Sequence, residues 1–92
     1  MAHKIVGFAF SNSNNLSYIK NQLDAIKNSF PSLETEVSDE TDLRLDRLKT
    51  KASNLFPLYI IYKNGVYKMH RSGKYDNTQI IDWLNTIHGL NT

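Results

Sequence analysis

The chain has 92 residues, of which 40% are hydrophobic and 22% charged, an ordinary composition for a single globular domain spanning residues 1–92. Its formal net charge of +2 is too small to indicate a nucleic-acid or membrane-surface binder. The best apolar stretch, Phe56 to Tyr62, is too short to cross a bilayer, and the first ten residues do not resemble a secretory signal. We therefore expect a cytoplasmic protein with no membrane partner.

The N-terminal third predicts a buried strand followed by a helix. Residues 5–10 are apolar at nearly every position, which is typical of a strand covered on both faces. The polar residues 11–15 interrupt this run, and any of the last three can cap a helix. Pro31 ends that helix. Its apolar stripe consists of Leu16, Ile19, Leu23, Ile26 and Phe30.

The middle of the chain predicts a second strand and a second helix. Residues 33–37 alternate between apolar or small side chains and glutamates, the period of a strand with one exposed face. Acidic helix-start residues then follow at Asp39, Glu40 and Asp42. The predicted helix has a charged outer face that includes Arg44, which we expect to be solvated. Its apolar positions are Leu45, Leu48 and Ala52.

The C-terminal third predicts a hairpin and a last helix. Residues 56–62 form a continuous β-type run, and Asn64-Gly65 is a strong signal for a type I′ turn before the return strand at 67–70. Asp76 and Gln79 have capping-box spacing. The final helix carries an apolar stripe, and Gly89 suits the position after its end. That stripe consists of Ile80, Trp83, Leu84 and Ile87.

The predicted order is strand, helix, strand, helix, strand, strand, helix. Two strand–helix units imply parallel strands joined by right-handed crossovers, and the hairpin adds an antiparallel pair. We therefore expect an α/β domain with a four-stranded mixed sheet flanked by three helices.

This order and several motifs resemble the thioredoxin-like family over nearly the whole chain. Residues 6–26 look like its first core strand, active-site turn and following helix. Residues 56–65 are similar to its signature of an apolar residue, a cis-proline, a strand and a Lys-Asn-Gly turn. Gly73 and the Trp83-Leu84 helix fall where the family has its late glycine and closing helix. The resemblance implies a thioredoxin-like fold with a cis peptide bond before Pro57.

The same resemblance shows that the redox machinery is missing. Ser13 and Leu16 stand where the family has the two cysteines of its Cys-x-x-Cys motif, and Gly7 stands where it has a buried acid. The chemistry needs a thiolate at a helix N-terminus and a second thiol three residues later. A chain without cysteine cannot carry it out, so we expect a redox-inactive protein that is not an enzyme.

In the family, partners meet the turn before the first helix, the residue before the cis-proline, and the late glycine loop. The resemblance therefore implies a binding groove at seven positions, with partners on the helix faces as the alternative. The seven positions are Asn12, Ser13, Asn14, Asn15, Phe56, Pro57 and Gly73.

Our leading hypothesis is a protein-interaction or structural component with an unidentified protein partner. It is compatible with a subunit of a larger assembly, including a viral one in an infected cell or virion, since Asn, Lys and Ile are frequent as in AT-rich genomes. The first alternative is a peptide- or glutathione-binding domain that uses the groove, in which Ser11 or Ser13 would meet the glutathione thiol.

The second alternative is a nucleic-acid-binding accessory protein, because tyrosines alternate with basic residues in the hairpin region. The tyrosines are Tyr59, Tyr62, Tyr67 and Tyr75, and the basic residues are Lys63, Lys68, Arg71 and Lys74. No metal or other cofactor is expected, because the histidines lack partners at metal-ligand spacing. They are His3, His70 and His88.

Overall fold

The computed structural model describes residues 3–48 and 56–88. The chain forms four strands, two α-helices and one 3₁₀ helix within these ranges. The strands are β1 (His3–Phe8), β2 (Leu33–Ser38), β3 (Leu58–Lys63) and β4 (Val66–Ser72). The helices are α1 (Asn15–Ser29) and α2 (Asn77–His88), and the 3₁₀ helix is Leu43–Leu48.

The strands form one mixed sheet in the order β2-β1-β3-β4. β1 pairs with β2 in parallel, and β3 pairs with β1 and β4 in antiparallel fashion. Phe8 lies opposite Leu58, which in turn lies opposite Ser72. The end of β1, the start of β3 and the end of β4 therefore meet at one end of the sheet.

One face of the sheet is covered by α1 and α2, and we call it the helix-covered face. Side chains alternate along a strand, so Ile5 of β1 and Tyr59 and Ile61 of β3 point to this face. They pack into a core to which twelve of the described residues contribute buried side chains. Its members are Ile5, Ala9, Ile19, Leu23, Ile26, Phe30, Leu33, Tyr59, Ile61, Ile80, Trp83 and Leu84.

The opposite face is covered by the 3₁₀ helix, and we call it the 3₁₀ face. Among the described residues, its core consists of Val6, Phe8, Leu45, Leu58 and Ile60, with Phe56 and Tyr62 packed at its margin. Because β1 is buried on both faces, its continuous apolar run is explained by its central place in the sheet.

The local signals of the sequence produce the expected local structures. Asn64 and Gly65 both have positive φ, 54° and 80°, as the predicted hairpin turn requires. At α2 the backbone N–H of Gln79 donates to the Asp76 carboxylate at 2.8 Å, and the Asp76 N–H donates to the Gln79 side chain at 2.9 Å. This reciprocal pair is the predicted capping box.

The element order is confirmed, but the second helix differs in kind from the expectation. The backbone N–H of Arg44 donates to the Asp42 carboxylate at 2.8 Å, and the N–H of Leu45 donates to the Asp42 carbonyl at 3.2 Å. These bonds close tight turns, which favour a 3₁₀ start over an α-helical one. Leu45 is buried as predicted. The positions assigned to Leu48, Ala52, Ile87 and Gly89 lie outside the described side chains.

Arg44 is partly buried and ion-paired, whereas the sequence predicted a solvated side chain. Its guanidinium pairs with the carboxylates of Glu36 and Asp42, and Glu36 also pairs with Lys4 at 2.7 Å. The guanidinium carbon lies 5.8 Å from the centre of the Phe8 ring. The pKa values of both carboxyl groups are lowered, chiefly by hydrogen bonds from Arg44. Arg44 therefore joins the 3₁₀ helix to the sheet.

Neither described helix combines the length and apolar character that a membrane-spanning helix needs.

Candidate binding surface at the end of the sheet

The structure brings the predicted groove residues to one end of the sheet, which we call the sheet-end surface. It consists of residues 10–15, Phe56, Pro57 and Gly73. The peptide bond between Phe56 and Pro57 is cis, as expected. The backbone N–H of Gly73 donates to the Pro57 carbonyl at 2.8 Å, so the cis-proline and the glycine loop are in direct contact.

Two aromatic rings connect the turn after β1 to the cis-proline. The ring centres of Phe10 and Phe56 are 4.9 Å apart, and Phe56 also stacks on Phe8 at 6.4 Å. Phe10 is 39% exposed, and Phe56 is half-buried. The pair forms an apolar spot that water reaches. The sequence prediction missed Phe10 because it placed that residue inside the first strand, which ends at Phe8.

The turn that carries the predicted polar residues is fixed mainly by its own backbone. The N–H of Ser13 donates to the Phe10 carbonyl at 2.9 Å, and the Ser13 hydroxyl accepts the N–H of Asn15 at 3.1 Å. Asn14 occupies the cap position of α1 without a side-chain capping bond. Asn12 and Asn14 are exposed. Both residues belong to the turn that follows Phe10, and their side chains are accessible to a partner.

A carboxylate outside the predicted site also holds this turn. The Ser11 hydroxyl donates to Glu40 at 2.6 Å, and the Ser11 N–H donates to the other oxygen of the same carboxylate at 3.0 Å. These hydrogen bonds lower the pKa of Glu40. The sequence contained no local signal for this contact, because the two residues are 29 positions apart.

The loop after β4, which contains Gly73 and Tyr75, is held by hydrogen bonds to α1. The Tyr75 carbonyl accepts hydrogen bonds from the Gln22 amide at 2.5 Å and from the Tyr18 hydroxyl at 3.1 Å. The Tyr59 hydroxyl, fully buried, donates to the Gln22 side-chain oxygen at 2.6 Å. Burial raises the pKa of Tyr59. The network ties the loop after β4, which contains Gly73, to α1.

The positions that would carry thiol chemistry are occupied by groups with other tasks. The Ser13 hydroxyl caps the turn, and Leu16 packs against the core of the helix-covered face. A Cβ atom built on Gly7 would lie 2.3 Å from the Cγ2 methyl of Ile19, a fully buried side chain. The position of the family's buried acid is therefore filled by Ile19.

Within residues 3–48 and 56–88, no three His, Asp or Glu side chains are grouped so that they could hold a metal ion.

Comparison with known structures places this geometry in a fold class. The chain is similar to thioredoxin O2 from Arabidopsis thaliana in the oxidized state, with a TM-score of 0.69 and 16% identity over 94% of this chain and 75% of that one. It is similar to Fasciola hepatica thioredoxin, with a TM-score of 0.69 and 16% identity over 92% and 80% of the two chains.

A structure of the yeast mitochondrial 1-Cys peroxiredoxin system also aligns, with a TM-score of 0.70 and 13% identity over 94% of this chain and 79% of that one. No protein-family model and no curated protein sequence matches the chain. The protein thus has a thioredoxin-like fold. It is a version of that fold without any cysteine, and hence without the Cys-x-x-Cys motif.

Proposed function

We propose that this protein is a redox-inactive, thioredoxin-like interaction domain that binds an extended segment of a partner protein at the sheet-end surface. The observation that carries the proposal is the exposed contact between Phe10 and Phe56, which lies where the turn and the cis-proline meet. Exposed aromatic rings are favoured anchors at protein interfaces, because they bury much area for little side-chain entropy.

The surroundings of the aromatic pair support a peptide ligand. Asn12 and Asn14, in the turn that follows Phe10, are exposed, and their amides can donate to or accept from a peptide backbone. The loop below is anchored through Gln22, so little order has to be created on binding. The proposed role is binding within a larger assembly rather than catalysis.

The chemistry of the turn favours this role over glutathione binding. The Ser11 hydroxyl already donates to Glu40, and the Ser13 hydroxyl already accepts from the backbone of Asn15. A thiol brought to this turn would meet the Glu40 carboxylate, whose charge opposes formation of a thiolate. We therefore expect no saturable binding of glutathione in a calorimetric titration.

The test is selection of short extended peptides on the purified protein, followed by affinity measurements with two matched variants. Phe56→Ala should weaken the selected peptides by at least about tenfold, the loss typical of an interface anchor. Val66→Ala removes an exposed apolar side chain at the opposite end of the sheet and should leave the affinity unchanged.

Equal affinity of both variants for every selected peptide would place binding elsewhere and refute the proposal. Melting curves of both variants check that each remains folded. Chemical-shift mapping on the wild type gives a second reading, since the perturbed amides should lie in residues 10–15 and around Gly73.

The redox-inactive part of the proposal has its own assay. In insulin reduction with dithiothreitol, the protein should not exceed the protein-free control, because no thiolate can attack the disulfide. Turnover above the control would refute it.

A further inference from the structure

A carboxylate is held against the uncharged turn that follows β1. Residues 9–15 contain no charged side chain. Glu40 reaches this turn from the segment after β2: one of its oxygens accepts the Ser11 hydroxyl at 2.6 Å, and the other accepts the Ser11 N–H at 3.0 Å. These hydrogen bonds lower the pKa of Glu40, so the group is ionised at neutral pH. The turn therefore has a negative charge at a defined position.

This carboxylate lies close to the exposed ring of Phe10. Ser11 follows Phe10 in the chain, so covalent bond lengths keep its backbone nitrogen within about 6 Å of the centre of the Phe10 ring. The hydrogen bond of 3.0 Å from that nitrogen then places a Glu40 oxygen within about 9 Å of the ring centre. Phe10 in turn contacts Phe56. One long cationic side chain of a partner can therefore reach the carboxylate and the aromatic pair together.

The charge of Glu40 is not balanced by a cation of the described residues. The ion pairs in this part of the chain belong to the carboxylates of Glu36 and Asp42, and none involves Glu40. Ser11 donates two hydrogen bonds to Glu40, whereas a carboxylate has about four acceptor positions. Glu40 is also exposed. It can therefore accept further hydrogen bonds from a cationic partner.

The carboxylates on either side of Glu40 in the sequence are engaged within the chain. Asp39 accepts the backbone N–H and the hydroxyl of Thr41 at 2.9 and 2.6 Å. Asp42 pairs with Arg44 at 2.6 Å. Both aspartates are partly buried, whereas Glu40 is exposed. Of these three acids, Glu40 is therefore the one that a partner at the turn can use.

The lysine next to Gly73 does not compensate this charge. The Lys74 ammonium lies 4.5 Å from the centre of the Tyr18 ring, on α1. It forms no ion pair with Glu40. The charge beside Phe10 therefore remains negative.

From these observations we infer that Glu40 is a specificity-determining residue of the sheet-end surface, and that the segment it recognises carries an arginine or lysine beside the apolar residue that covers Phe10 and Phe56. The inference rests on the proposed function and adds the chemistry of the partner to it. An arginine can place its planar guanidinium against an exposed ring while its N–H groups donate to the carboxylate. An acidic residue in the same place would meet a like charge, which gives the surface selectivity.

The first experiment uses peptides that differ at one position. In the tightest peptide selected on the purified protein, the anchor is the apolar residue whose change to alanine costs the most affinity. Each residue beside the anchor is made arginine, glutamine or glutamate in turn, and calorimetry measures the affinity. On at least one side of the anchor, arginine should bind about fivefold more tightly than glutamine, the upper range for an exposed ion pair, and glutamate more weakly than glutamine. The preference should shrink between about 20 mM and about 500 mM salt.

Variants of the protein assign this preference to one side chain. Glu40→Gln removes the charge and keeps an acceptor for Ser11, so it should bind the arginine and glutamine peptides equally. Glu40→Lys should reverse the order and favour the glutamate peptide. The matched control is Glu34→Gln, the same change of charge at an exposed position near the other end of β2, which should keep the arginine preference. Circular dichroism checks that each variant is folded.

The outcomes separate this inference from the proposed function. Peptides that lose affinity for Phe56→Ala but bind the wild type equally well with arginine, glutamine or glutamate overturn the inference and leave the proposed function standing. An arginine preference that persists in Glu40→Gln also overturns the inference, because another group must then supply the charge. A protein whose selected peptides are indifferent to Phe56→Ala refutes both.

Discussion

The two faces of the sheet are built differently, although the same strands supply both. Among the described residues, the helix-covered face has twelve buried core residues and a hydrogen-bonded polar group, Gln22, within it. The 3₁₀ face has five core residues in the same part of the chain and is bordered by the charged cluster around Arg44. The exposed aromatic pair of the sheet-end surface belongs to the margin of this second face, since Phe56 packs on Phe8.

This difference suggests that the helix-covered face mainly provides stability and that the margin of the 3₁₀ face provides the binding surface. Stability depends on buried apolar area and on satisfied buried polar groups, and in the described part of the chain most of both lies under the two α-helices. Binding needs groups that a partner can still reach, and the exposed ring of Phe10, in contact with Phe56, is such a group. The following predictions test this division through the free energy of unfolding.

The largest effect is expected at Trp83, which is 7% exposed and packs against the sheet. Trp83→Ala should lower the free energy of unfolding by about 3–5 kcal/mol, the usual cost of deleting a large buried aromatic. Urea unfolding followed by circular dichroism measures this. Val66→Ala, an exposed apolar deletion, should change stability by less than about 0.5 kcal/mol. A loss below about 1 kcal/mol for Trp83→Ala would contradict the assignment of stability to this face.

A smaller loss is expected where a glycine is packed against a helix. Gly7→Ala should cost about 1–3 kcal/mol, because the new methyl overlaps the buried Ile19 side chain. In a double-mutant cycle with Ile19→Ala, the two changes should cost less together than the sum of each alone. Strict additivity in urea unfolding would show that Ile19 does not limit the space at Gly7.

Next comes the buried hydroxyl of Tyr59. Tyr59→Phe should lower stability by roughly 1.5 kcal/mol, because it leaves the Gln22 side-chain oxygen without its buried donor. Tyr67→Phe is the matched control: its hydroxyl contacts His70 at an exposed site, so the loss should be less than about 0.5 kcal/mol. Thermal melts of both variants decide the matter, and equal losses would argue against a structural role for the network.

The smallest effect belongs to the charged border of the 3₁₀ face. Arg44→Gln should cost about 1 kcal/mol at low salt, since Arg44 and Glu36 are only partly buried and solvent screens their ion pairs. The lowered pKa values of Glu36 and Asp42 stabilise the fold above the ordinary carboxyl range, and this stabilisation is lost as pH falls through the lowered values.

The variant should therefore lose less stability than the wild type when the pH falls from about 5 to about 2. Parallel pH titrations of the two proteins by urea unfolding test this. An identical acid dependence in both would mean that Arg44 does not hold the two carboxylates.

The sequence was sufficient wherever the decisive interaction is local. The Asn64-Gly65 turn, the capping box of α2 and the stripe containing Trp83 each depend on residues within a few positions of one another. The fold class followed from their order, because few topologies accommodate it.

The remaining features could not be predicted because they join distant parts of the chain. Nothing near Phe10 in the sequence indicates that its ring lies on Phe56, and nothing near Ser11 indicates Glu40. The 3₁₀ start at Asp42 depends on a side-chain bond that competes with helical spacing.

The close approach of Gly7 and Ile19 has a consequence for protein engineering. Substituting cysteine at positions 13 and 16 would supply the two thiols of Cys-x-x-Cys. It would not make room for an acidic side chain at position 7, because the Ile19 side chain occupies that space. Adding the acid alone would introduce both a steric clash and a buried charge. A route to a working oxidoreductase therefore needs several coordinated substitutions, and single steps along it lower stability before any activity appears.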